Sequence, residues 1–449
     1  MRRLRGVKHL VHDAVDLTLD LVEEGHSSTA RTVKRVLDQV PGLSGPAAVA
    51  EEARRVSTSA VLGAIRGVHH AVQGLTEAGL DAVESTRDAA PTPESACPMR
   101  SDAMGSLPWV ADAALGAING AIGDHLHRRG NGLDLDMRLR VGDRYLTPDA
   151  PPAVTSSRVA IFVHGLGTTE WSWCLRAAEY HGDASVSFGT LLERDLGYTP
   201  VWVRYNTGRH VSESGRALAD ELARLFEQWP VPITDMVLIG HSMGGLVVRS
   251  ACHYGRGAPW LERVSRVFCL GSPHQGAPLE KISNVVTAAL GAVDLPGTII
   301  PARLLRGRSA GIKDLRHGNL VDEDWLTVDP DSMAASERQV VPLVDHIAYY
   351  FVSATVTRDP EHPLGKIIGD LLVRVPSASG PDARAQAHRS FDVDVRCYGS
   401  VMHHELQNHP AVYAQIVAAM RGDNPEVGGS APEEGDGVTA DAAPPDRGG

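Results

Sequence analysis

From Ser157 onward, short apolar runs alternate with stretches of helical periodicity. The runs are Val159–Val163, Pro200–Val203, Met236–Ile239, Val264–Leu270 and Ile347–Val352, and Asp392–Cys397 closes the series. Helical patterns such as Ser214–Gln228, Gly245–Cys252 and Pro410–Met420 lie between or after them. This alternation limits the chain more than any other feature. Strands that run parallel need crossover connections, and the crossovers cover both faces of the sheet with helices. Such strands must be apolar on both sides, as these runs are. The expected fold class is α/β, a mostly parallel sheet with helices on both faces, over residues 157–421. Residues 277–345 break the alternation with mixed helical signals and read as an insertion between two strands.

The flanking segments read differently. Over residues 1–90, Leu4, Val7, Val11 and Ala14 recur at helical spacing, and Val61, Ile65, Val68, Val72 and Leu75 step by four and three. These spacings predict an N-terminal helical region with apolar seams. Residues 91–108 are rich in Pro, Ser and Ala and read as a linker. Within 109–156, a helix over Trp109–Arg128 carries Gly116, Gly120 and Gly123 on an Ala/Ile background, which predicts close backbone packing. A hairpin, Asp134–Val141 and Arg144–Thr147 around Gly142-Asp143, then leads into the sheet. Residues 422–449 hold almost no large apolar side chain and are expected to stay disordered.

Composition excludes several functions. The formal net charge is −12, and the last 28 residues hold seven acids against one arginine, so half of that charge lies in the tail. An acidic chain lacks the basic footprint of a nucleic-acid binder. The five cysteines (Cys97, Cys174, Cys252, Cys269 and Cys397) are widely spaced and include no Cys-x-x-Cys. Buried free thiols are expected rather than disulfides or a zinc site. His125-x-His127 falls on a helix, where positions i and i+2 do not share a face, so no metal site is expected there. The basic start is interrupted at Lys8, Asp13 and Asp16, and the longest uncharged apolar stretches, Ala113–Gly123 and Ile282–Val293, are too short to span a bilayer. The expectation is a cytoplasmic protein that could attach peripherally to a membrane surface.

The strongest chemical signal is Gly240-His241-Ser242-Met243-Gly244, which follows an apolar strand and precedes a helical pattern. A serine on such a strand–turn–helix junction is held exposed at a tight turn, with the donors of a helix N-terminus beside it. A second signal lies upstream, where the run Ala160–Val163 enters His164-Gly165-Leu166-Gly167. A loop of this kind can supply one backbone N–H of an oxyanion hole, the other coming from the residue after the nucleophile. The candidates are the N–H groups of Leu166 and Met243. Serine needs a base to act at neutral pH, and the base needs an orienting acid. His403, at the end of the last strand, is preferred as the base and His404 is the alternative. Asp370 is preferred as the acid and Asp359 is the reserve. Asp322, Glu323 and Asp324 read as surface charge.

With these residues named, a resemblance emerges. VHGLG (Val163–Gly167), GHSMGG (Gly240–Gly245), GSPHQGAP (Gly271–Pro278), GDLLV (Gly369–Val373) and HHELQNHP (His403–Pro410) resemble the lipase and esterase branch of the α/β-hydrolase superfamily. Within that branch the chain is similar to the GPI-inositol-deacylase-like bacterial hydrolases and to small triacylglycerol lipases. The resemblance implies an α/β-hydrolase fold with a Ser-His-Asp triad that cleaves carboxylic esters of a lipid or other apolar substrate without a cofactor. It also implies that residues 277–345, with the stripe Leu279, Ile282, Val285, Val286 and Leu290, could form a helical lid; core packing explains that stripe equally well. A thioesterase or acyltransferase on the same fold remains open. So does an inert scaffold that binds a partner or lipid surface through its N-terminal helices.

Overall fold

In the computed structural model the described residues are 107–147, 156–277, 309–326, 339–359 and 393–422, with Pro152, Asp370, Val373 and residues 375–378. The helices expected over 1–90, the linker, the stripe of 279–290 and the tail beyond Gly422 lie outside them. The described course runs α1 (Leu107–Arg128), β1 (Arg138–Val141), β2 (Arg144–Tyr145), β3 (Arg158–Val163), a 3₁₀ turn (Glu170–Cys174), α2 (Ala177–His181), α3 (Phe188–Leu196), β4 (Thr199–Arg204), α4 (Val211–Gln228), β5 (Asp235–His241), α5 (Met243–Tyr254) and β6 (Val264–Leu270). It continues with α6 (Ala310–His317), α7 (Glu323–Leu326), β7 (Ala348–Thr355), α8 (Val375–Ala378), β8 (Val393–Gly399), a second 3₁₀ turn (His403–Gln407) and α9 (Pro410–Arg421).

These strands form one sheet in the order β2-β1-β4-β3-β5-β6-β7-β8. β1 is antiparallel to β2 and β4, and every pairing from β4 to β8 is parallel. This is the α/β-hydrolase architecture. Alternation along each strand sorts its side chains into two cores. Val159, Ile161 and Val163 of β3 and Leu238 of β5 face the helices α1, α4 and α5 through Leu115, Leu218, Leu222, Leu246 and Val247. Ala160 and Phe162 of β3 and Val237 and Ile239 of β5 face α3 and α9 through Phe188, Leu192, Val412 and Ile416. The chain moves from β3 outward to β4, then crosses back to the other side of β3 at β5. In open α/β sheets ligands gather at such a reversal, outside the C-terminal ends of the strands.

Local chemistry sets the helix ends. Ser187 and Thr190 form a reciprocal capping box at the start of α3. Pro410 opens α9 and Gly422, at φ 78°, ends it. The insertion is tied down at both described ends by one carboxylate. Asp324, expected at the surface, is instead buried and accepts from the backbone N–H groups of Leu320 (2.8 Å), Val321 (3.1 Å) and Gln339 (2.8 Å). Its oxygens satisfy donors that would otherwise be orphaned. Asp322 is half-buried and pairs with Arg216 at 2.6 Å.

A buried ion network fastens α1 to the sheet. Arg204 of β4 grips Asp112 of α1 with both terminal nitrogens (2.7 and 2.8 Å) and gives its Nε to Glu170 (2.8 Å). Arg140 of β1 lies 3.5 Å from Glu170, and the Tyr145 hydroxyl donates to the same carboxylate at 2.5 Å. Burial works to raise the Glu170 pKa, but Arg204 and Arg140 outweigh it and hold the carboxyl down at about 2. Among the described residues, no helix is long and apolar enough to cross a membrane.

Candidate active site

β5 ends at His241 and α5 starts at Met243, so Ser242 alone makes the turn between them. Its backbone sits at φ 53°, ψ −122°, a region that L side chains rarely enter. Three contacts hold it there. The Ser242 N–H donates to the Leu270 carbonyl at the end of β6 (2.8 Å), and the Gly245 N–H returns to the Ser242 carbonyl (3.1 Å). The start of α5 is pressed against the end of β3, where a Cβ on Gly244 would lie 2.2 Å from the Val163 carbonyl oxygen. Only glycine permits that approach. Ser242 is half-buried, and among the described residues its hydroxyl makes no hydrogen bond.

His403 starts the 3₁₀ turn after β8, and its imidazole is buried. Its Nδ1 lies 2.7 Å from Asp370 Oδ2, and its backbone N–H donates to the Asp370 carbonyl (3.3 Å). Asp370 is 1% exposed, and its other oxygen accepts the Val373 N–H at 2.8 Å. A carboxylate fixed in this way requires the proton on Nδ1, which leaves Nε2 as the basic edge of the ring. Gly271, next to the Leu270 carbonyl that holds Ser242, lies against that ring. A Cβ there would sit 3.1 Å from His403 Cε1. The imidazole and the serine turn therefore share a neighbour at the edge of β6.

The two alternatives are placed elsewhere. His404 is exposed on the turn, although partial desolvation of its ring by its neighbours lowers its pKa below the usual histidine value. Asp359 is exposed beyond β7, where its carbonyl accepts the Thr357 hydroxyl.

The loop after β3 is tightly pinned. The carbonyl of Gly165 accepts the Thr168 hydroxyl (2.9 Å) and faces His164 Nδ1 (3.0 Å), and the Gly167 N–H donates to the Thr207 hydroxyl (3.0 Å). Burial pushes the His164 imidazole down to about 4. A Cβ on Gly165 would lie 3.0 Å from Ser242 Cβ, so this loop and the serine turn are in contact. Leu166 follows at once, and Met243 N–H heads α5, where the helix offers it no carbonyl. The predicted glycine packing of α1 falls on this same loop. A Cβ on Gly120 would lie 2.6 Å from Gly167 Cα, and one on Gly116 would lie 3.0 Å from the Thr168 carbonyl carbon.

Sequence reasoning did not single out His241 or the ion network of Asp112, Arg140, Glu170 and Arg204. A cavity of about 320 Å³ also lies apart from Ser242, His403 and Asp370, lined by residues that include His127, Arg209, His210, Lys313 and Trp325. Most of its lining residues are of charged or polar type. Of the cysteines, Cys174, Cys252 and Cys269 are buried free thiols, pushed up to about 12 by burial. Such thiols are inert at neutral pH. Cys397 is half-buried.

With this geometry in view, similarity to known proteins can be stated. Residues 157–294 match the PGAP1-like alpha/beta domain. The match covers less than a third of the chain and includes the serine turn and the loop after β3. Among solved structures, mature lipase BlEst2 of Bacillus licheniformis is 16% identical, with a TM-score of 0.39, over 63% of this chain and 97% of that one. The carboxylesterase CesB of Bacillus subtilis is 12% identical, with a TM-score of 0.33, over 61% and 86%. The esterase RhEst1 of Rhodococcus sp. ECU1013 is 13% identical, with a TM-score of 0.33, over 63% and 94%. No curated protein matches the chain.

Proposed function

We propose that this chain is a serine ester hydrolase of the lipase and esterase type, acting on carboxylic esters of an apolar substrate. One observation carries the reading. A buried imidazole, oriented by a buried carboxylate at 2.7 Å, shares the sheet edge with a serine held at positive φ on a strand–helix turn.

In this reading Ser242 Oγ attacks the ester carbonyl. His403 Nε2 takes the serine proton and returns it to the leaving alcohol. Asp370 holds the imidazole in the required tautomer and stabilises its cationic form. The N–H groups of Leu166 and Met243 donate to the developing oxyanion, at the head of a helix whose dipole favours negative charge there. A water activated by His403 then releases the acid from the acyl-enzyme. In an enzyme without substrate the serine–histidine contact is often loose and tightens in the complex, which accommodates the unbonded Ser242 hydroxyl.

The test is hydrolysis of a p-nitrophenyl ester series by the full chain, together with labelling by a fluorophosphonate probe. We expect turnover and stoichiometric labelling, both lost in Ser242→Ala. Undiminished activity in Ser242→Ala would overturn the assignment. Comparing water, alcohol and thiol acceptors identifies the group that receives the acyl chain.

A further inference from the structure

His241 lies directly before Ser242, yet its ring points to the loop that carries His403. Its Nε2 is 3.0 Å from the His403 backbone carbonyl. A carbonyl can only accept, so Nε2 carries the proton and Nδ1 is the bare nitrogen. The ring is 5% exposed, and its centroid is 4.8 Å from that of His403 at an interplanar angle of 50°. On its Nδ1 side it meets the loop after β3, where a Cβ on Gly165 would lie 3.2 Å from Nδ1. The Trp173 ring stands nearly perpendicular to it, at 75°, with the ring centroids 6.4 Å apart.

We propose that His241 is a positioning residue that ties the serine strand to the loop of the general base. The inference rests on the triad reading given above. Among the described residues His403 has three polar anchors: its Nδ1 on the Asp370 carboxylate, its N–H on the Asp370 carbonyl, and its own carbonyl on His241 Nε2. The first two tie it to the segment that carries Asp370. The third ties it to β5, and so to Ser242. This bond sets how far the imidazole stands from the serine, a distance on which proton transfer depends steeply. The same ring touches the loop that bears Leu166, so one side chain sets the spacing of the base, the nucleophile and an oxyanion donor.

His241 also stays neutral in this setting. Burial, followed by the charge of His403, holds its pKa well below the usual histidine value. His404 and His164 act in the same direction. The ring therefore does not compete with His403 for the serine proton, and it keeps its tautomer while His403 cycles through its cation.

The experiment compares His241→Leu, which removes the donor, with His241→Gln, which offers a side-chain N–H at similar reach. Both are measured in the full chain by ester hydrolysis across pH. For His241→Leu we expect kcat to fall about ten- to a hundredfold with KM within about twofold, and the acidic limb of the pH profile to move. His241→Gln should recover most of the loss. Wild-type rates and profile in His241→Leu would overturn the proposal. Equal losses in both variants with an unmoved pH limb would also overturn it, because they mark simple packing. Imidazole ¹⁵N spectra of the wild type give a check that needs no variant. One histidine should remain neutral with its proton on Nε2 at pH values where an ordinary histidine is already protonated, and its absence would overturn the proposal. Failure of the triad reading shows separately, as a wild-type chain that the fluorophosphonate probe does not label.

Discussion

His403 is bonded twice to one residue: its ring to the Asp370 carboxylate at 2.7 Å and its backbone N–H to the Asp370 carbonyl at 3.3 Å. Position and tautomer are thus set by the same partner, which is itself held by the Val373 N–H.

Replacing Asp370 by Asn should keep the shape and lose the tautomer. An amide can donate to Nδ1, which places the histidine proton on Nε2, where it blocks proton acceptance. We expect kcat for a p-nitrophenyl ester to drop by about 10³–10⁴-fold with little change in thermal stability. Asp359→Asn, at the exposed reserve position, should stay within about twofold of wild type. Steady-state kinetics of the two variants side by side decide which acid acts.

The serine turn depends on the absence of a side chain at Gly244. Alanine there would drive its Cβ to 2.2 Å from the Val163 carbonyl, a contact that only a shift of α5 away from β3 relieves. Such overpacking costs about 1–3 kcal/mol. The variant should show a lower midpoint in urea and, because Met243 N–H moves with the helix, slower fluorophosphonate labelling.

The ion network makes Arg204 a sensitive position. Arg204→Met would strand Asp112 and Glu170, both buried, without their main counter-charge. Breaking a buried pair from one side costs about 3–5 kcal/mol. Arg204→Lys should recover only part, since one ammonium cannot match a fork that reaches both carboxylates. Chemical denaturation of the three proteins measures the difference.

Buried His164 should make stability depend on pH. Burial lowers its pKa in the folded state to about 4, against about 6.5 when the chain is unfolded. Between these values the unfolded chain binds the proton and the folded chain does not, so stability falls as pH falls through this window. From pH 7.5 to pH 5 this one group should remove about 2 kcal/mol. His164→Gln should flatten the urea-midpoint profile over that range. An unchanged slope would exclude His164 as its source.

Much of this architecture could be read locally. β3, β5 and β6 are apolar on both faces because both faces are covered, and their runs stand out in a short window. Ser242 was legible for the same reason: its strand, turn and helix are contiguous. His403 could be approached because it ends a strand. The network of Arg140, Glu170, Arg204 and Asp112 could not. Its members lie far apart along the chain, and each reads singly as surface charge. The antiparallel pairing of β1 with β4 was hidden likewise, since Arg138-Leu139-Arg140-Val141 looks like an exposed strand until Arg140 finds its buried partner. His241 sits inside the best-defined motif, but its partner is 162 positions away, so its role had no local signature.

The glycine face of α1 bears on where this protein can be cut. The family match starts at residue 157, after α1, and ends at 294, before Asp370 and His403. A fragment trimmed to those limits would keep the serine turn but lose both the helix that backs the Gly167 loop and the Asp370–His403 pair proposed to serve the serine. Its exposed Thr168 and Gly167 would face water in place of Gly116 and Gly120. The smallest portion that can be expected to work as a catalyst therefore begins upstream of the match, at α1, and runs through α9.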